Sequence, residues 1–200
     1  MGKLWERASN LTVTNKLRLG KNATLIQQSD QHADANFSLS NMTAGTGTAG
    51  TGTIYRTSVQ ESAGIVTTNI LIDLTGLNSS AAADIIGVQA TANCHFGQIT
   101  AAINGTILGG TMTCLEAPLT GEPDIDLYSA DEATGTEDAA VTGLTETAIL
   151  LAAADWTIGL VKGFATIAAD QYLYLAGSGT GTDATYTAGI FLISIQGYRA

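Results

Sequence analysis

The sequence predicts an all-β protein: an antiparallel β-sandwich or jelly roll that carries an extended N-terminal arm. Three observations predict it. Short β-branched runs recur from residue 54 onward, separated by Gly, Asn or Asp turns, with no amphipathic helix between them to make parallel crossovers. Side chains are small and neutral, with 23 Gly and only 13% charged residues, where an average domain carries about 25%. Charge is also divided along the chain, as an arm and a body with different partners require.

The arm is read as residues 1–53. Residues 11–19, LTVTNKLRL, alternate as a short strand does, with Leu11, Val13, Leu17 and Leu19 on one side. Residues 43–53, TAGTGTAGTGT, contain no side chain larger than Thr and read as a flexible linker. The body is then residues 54–200. Residues 65–74, IVTTNILIDL, form its first clear strand. Residues 96–103 and 106–115 flank Asn104-Gly105, the pair favoured in a type I′ hairpin turn, so they are expected to form a hairpin. Gly109-Gly110 within its second half marks a bulge or a close backbone approach. Residues 125–128, 171–175 and 190–195 complete the clear strands. Residues 146–154, ETAILLAAA, could form a helical turn, which helix propensity favours, or a buried strand, and are read as mixed. No repeat of 20–50 residues appears, which argues against a solenoid or propeller.

Several functional classes are excluded. The net charge is −10, so nucleic acid is not an expected partner. No apolar run is long enough to cross a bilayer as a helix, and the first residues lack the apolar segment of a secretory signal. Cys94 and Cys114 read as reduced, buried, small apolar residues; a disulfide across the expected hairpin is the other reading. His95 follows Cys94, but neighbours on a strand point to opposite faces, so they make a poor nucleophile–base pair. There is no Gly-x-Ser-x-Gly elbow, and the Gly-Thr run lacks the Lys-Ser/Thr of a phosphate cradle.

The acidic stretch from Glu122 through Asp124, Asp126, Asp131 and Glu132 to Glu137 and Asp138 lacks the EF-hand pattern and reads as a solvated strand face followed by a loop, with calcium held by its alternating carboxylates as the other reading. No metal, cofactor or catalytic residue is expected. Tyr172 and Tyr174 alternate with Leu173 and Leu175, giving one core side and one interface or solvent side.

Five of the eight basic residues lie within the first 21 positions, whereas residues 116–155 hold ten acids and no base. Lys3, Trp5, Arg7, Leu11, Val13, Lys16, Arg18 and Lys21 are therefore the candidate binding residues of the arm, which suits an acidic docking surface.

Five stretches carry a resemblance: IDLTGLNSSAAADIIG (72–87), GQITAAINGTILGGTMTCLEAP (97–118), GEPDIDLYSADEATGTEDAAVT (121–142), ADWTIGLVKGF (154–164) and DQYLYLAGSGTGTDATYTAGIFLISIQGY (170–198). In these the body resembles a family of small virion structural proteins of marine tailed phages, including phages of cyanobacteria. The resemblance implies a capsid decoration, cement or knob-type protein on the outside of the head, made in the host bacterial cytoplasm. It also implies a homo-oligomer, commonly a trimer, whose partner is the major capsid protein. The other expectation kept open is a tail, baseplate or fibre-associated protein that binds host glycan through Tyr172, Tyr174 and residues 122–138.

Overall fold

A computed structural model describes residues 42–79, 82–179 and 183–199. The chain divides after Ala35, and everything described here belongs to the second unit. The candidate arm residues from Lys3 to Lys21, and the strand expected over residues 11–19, lie outside the described residues.

The body is an antiparallel β-sandwich. Its first sheet holds five strands: β1 (Ile54–Ser62), β2 (Ile65–Asp73), β11 (Ala188–Tyr198), β5 (Thr106–Leu119) and β8 (Val161–Phe164), in that spatial order. The second sheet runs β4 (Gln98–Ile99), β9 (Gln171–Gly177), β6 (Ile125–Ala130), β7 (Glu146–Leu150). A small ribbon pairs β3 (Asn78–Ser79) with β10 (Ala184–Thr185). If β1, β3 and β10 are set aside and the remaining strands lettered B to I in chain order, the sheets read B-I-D-G and C-H-E-F. That is the strand order of a jelly roll, with β1 added at one edge.

Period-two alternation builds the core. Along β2 and β11 every second residue is buried, so Ile70, Ile72, Phe191, Ile193 and Ile195 point inward. They meet Ile99, Ile125, Leu127, Leu173 and Leu175 from the second sheet in one cluster. Trp156, from the connection between β7 and β8, enters the same cluster and stands edge-on to Phe191 at 5.3 Å. The ladder of β5 on β11 slips by one residue between Ile107 and Gly109, and a Cβ on Gly110 would lie 2.4 Å from the Phe164 ring. The glycine pair thus serves both expected roles, a bulge and a close approach.

Two expectations are corrected, and a third segment that was left open is decided. Residues 96–103 and 106–115 do not form a hairpin. Gln98–Ile99 belongs to the second sheet, and β5 pairs instead with β11 and β8. Between them lies a single helical turn, α1 (Ala101–Asn104). Thr100 caps it by accepting the Ile103 N–H, and Gly105 ends it at φ 71°. The Asn-Gly pair marks a helix end here.

The ambiguous segment is also settled, as strand β7 over Glu146–Leu150.

The Gly-Thr-Ala run is packed into the body. Gly45 and Gly47 donate to the carbonyls of His95 and Asn93, and Val88 N–H donates to Gly47 O. A Cβ on Gly47 would lie 2.4 Å from Cys94 Sγ. The residues that looked too small to anchor anything anchor here because backbone can lie directly on backbone. Met42 leads this run into the core, where Asn104 Nδ2 reaches its sulfur.

Candidate interaction surfaces

The two sheets present their outer faces differently. The outer side of the second sheet is covered. Residues 83–95 and 130–144 fold over it and make a second small core of Ile85, Cys94, Ala130, Val141, Tyr174 and Ala176. Tyr174 is fully buried, donating to Glu132 O and accepting from Gly135 N–H. Burial pushes its hydroxyl up to about 12. His95 packs edge-on against Tyr172 at 4.8 Å. Burial holds the His95 pKa below its ordinary value, and its Nδ1 accepts Gly97 N–H. The tyrosine side of β9 is therefore interior at Tyr174, whereas Tyr172 stays partly open and lines a surface cavity with Gln98 and Thr100.

Cys94 lies in this second core and Cys114 in the main one, both free. Burial raises both thiols, that of Cys94 to about 11. The folded chain is accordingly expected to resist thiol reagents at pH 8, where both groups are protonated, and to release two reactive thiols in denaturant without reductant. Fewer than two would contradict the reduced assignment.

The acidic stretch is not a solvated strand face. Glu122, Asp126 and Glu137 are buried. Asp126 accepts Ala152 N–H at 2.5 Å, and Glu137 accepts from Asn78 Nδ2 and Ala90 N–H. These carboxylates tie loops to the sheets, which answers the cost of burying them. β6 lies inside a sheet covered on both sides, so alternation along it does not separate wet from dry. Asp124 is only partly buried. Burial first, then the Asp126 carboxylate, raises its pKa, and Lys162 opposes the rise. Among the described residues, no three His, Cys, Asp or Glu side chains gather as metal ligands, and no helix is long and apolar enough to cross a membrane.

The outer side of the five-stranded sheet is the contrast. Along β2 and β11 its inward residues are buried and its outward ones are partly or fully open. The register places Arg56, Leu71, Leu192, Thr113 and Val161 in one outward row. The next row is Ser58, Asn69, Ser194, Thr111 and Gly163, with Ser194 donating to Asn69 Oδ1. A third row holds Gln60, Thr67 and Gln196. Charge reaches this face only at its margins, in Arg56, Asp73 and Glu116. At the β8 edge Leu115, Ile158 and Val161 are exposed, Ile158 to 74%.

The body as a whole is strongly acidic. From residue 42 onward there are fifteen acids and three bases, while residues 1–41 hold five bases and three acids. Of the three, Arg199 pairs with Glu61 at 2.6 Å, and Lys162 lies over the Trp156 ring while donating to Ala152 O. Arg56 is the remaining one, on the neutral face.

No protein-family model, no curated protein and no solved structure matches this chain.

Proposed function

We propose that this chain is a structural protein of a tailed-phage particle, a decoration or cement protein that holds an acidic jelly-roll body on the outside of the capsid through a basic leader. The division of charge at Met42 is the observation that supports it most. A leader richer in bases than acids is joined to a body with fifteen acids and three bases, so the two halves favour different surfaces. Jelly rolls serve as viral capsid and lectin domains. The burial of Tyr174 takes one of the two tyrosines from the glycan-binding alternative and leaves Tyr172 partly open, which weakens that alternative.

In this reading Lys3, Arg7, Lys16, Arg18 and Lys21 meet acidic patches of the major capsid protein. The alternating residues Leu11 and Val13 pair with an exposed strand edge, and Trp5 supplies an apolar anchor. Each leader binds weakly by itself. Linking several in one oligomer raises the effective concentration of the next, so occupancy comes from copy number. No catalysis and no cofactor enter.

The test uses heads stripped of this protein. The full chain is expected to cosediment with them, and a chain beginning at Met42 to stay in the supernatant. Full occupancy by the shortened chain would overturn the leader's role.

A further inference from the structure

We propose that the outer face of the five-stranded sheet is a self-association surface, which takes the same face of a second copy of this chain. This deepens the capsid reading by naming the contact through which copies join, and three observations carry it.

The first is openness. The jelly roll has two outer sheet faces, and the middle of the second sheet's is already covered by its own small core. The five-stranded face keeps Leu71, Ile190, Leu192 and Val161 partly or fully open to water in an otherwise folded body.

The second is charge. With fifteen acids against three bases, two bodies repel each other in most orientations. Thirteen of those acids lie off this face, and the two on it, Asp73 and Glu116, stand in its end row. Asp73 is already engaged by the N–H and hydroxyl of Thr75. The neutral face is thus the direction in which a second copy approaches at least cost. Isologous contact also demands a surface that tolerates itself. Rows of Ser, Thr, Asn and Gln, each both donor and acceptor, meet that demand where a charged row would not.

The third is size. Four strands of about nine residues and the four-residue β8, at about 4.8 Å between strands and 3.3 Å per residue, give a face of roughly 630 Å², at the lower end of the roughly 600–1,000 Å² per partner of stable interfaces. The short middle row of Ser58, Asn69, Ser194, Thr111 and Gly163 lets two such sheets approach to about 10 Å, as in a sandwich interior.

Light scattering on the full-length chain tests this. The native protein is expected to run at about twice its 20.5 kDa chain mass. Leu192→Lys, and separately Thr113→Lys, put a cation on each side of the contact and are expected to give single chains. Both side chains point away from the core, so each variant should keep the native circular dichroism spectrum and a cooperative transition, melting lower only by the lost association. Thr147→Lys, on β7 away from the face, adds the same charge and should leave the pair intact. A native chain that is monomeric overturns the proposal, and so does an oligomer of any size that survives both lysines. The outcome is independent of head binding: a chain that pairs but ignores heads contradicts the capsid reading alone, and one that decorates heads as single copies contradicts this one alone.

Discussion

A chain beginning at Met42 is expected to melt as the full-length protein does, whereas one beginning at Ile54 is expected to lose its cooperative transition. The difference lies in twelve residues of almost featureless composition. Removing them leaves the Val88 N–H and the carbonyls of Asn93 and His95 without the partners they have now. It also strips the buried Thr48 and Gly47 from above Cys94 and takes Met42 out of the main core. A buried polar group left unpaired costs about 1–3 kcal/mol, and deleting a buried Met side chain about 2–5 kcal/mol. Together these rival the whole net stability of an ordinary domain, about 5–15 kcal/mol. Circular dichroism melts of the two truncations check it. Equal melting of both would show that the run is the loose linker its composition suggests.

The second large effect is expected at Trp156. Its ring is buried between the sheets, its Nε1 donates to Ile125 O at 2.8 Å, and its edge meets Phe191. Lys162 lies over the ring, with Nζ 4.9 Å from its centre. Trp156→Ala removes the packing, orphans a buried carbonyl and leaves Lys162 without its aromatic partner, a loss of about 3–5 kcal/mol. For a body of this size that is a fall of roughly 10 °C in Tm. Trp156→Phe keeps the ring contact and should lose less than half as much. Denaturant unfolding of the chain from Met42 is the clean measurement, because Trp5 is then absent and Trp156 is its sole tryptophan. A change below about 0.5 kcal/mol, the level of surface substitutions, would mean that the ring is not where the two sheets are joined.

The strands that were legible in sequence are those whose burial alternates. β2 and β11 bury every second residue, so their pattern announces both the strand and its inner face. β9 announced a strand but misled about its faces, because Tyr174 meets a second core where the pattern allowed solvent. The acidic residues misled for the same reason: hydrogen-bonded carboxylates in a covered sheet alternate just as wet ones do. Asn104-Gly105 carried a local signal that two structures share, a hairpin turn and a helix end. The Thr100 cap and the two alanines after it were the clue to the second. Strand order was out of reach, since B-I-D-G and C-H-E-F arise from partners far apart in the chain. The neutral outer face follows from that order alone, for Arg56, Leu71, Leu192, Thr113 and Val161 come from five separate segments.

Arg199 donates to the carbonyls of Ala102 and Ile103, and Met42 rests on Asn104, so the polypeptide enters and leaves the sandwich beside the same helical turn. A peptide fused after the last strand would leave the sandwich beside the point at which Met42 enters it. The exposed turn at Thr120 stands at the other end of the β5–β11 ladder, where Leu119 faces Ala188 while Thr106 faces Tyr198. For displaying a foreign peptide, that far rim is the better graft point.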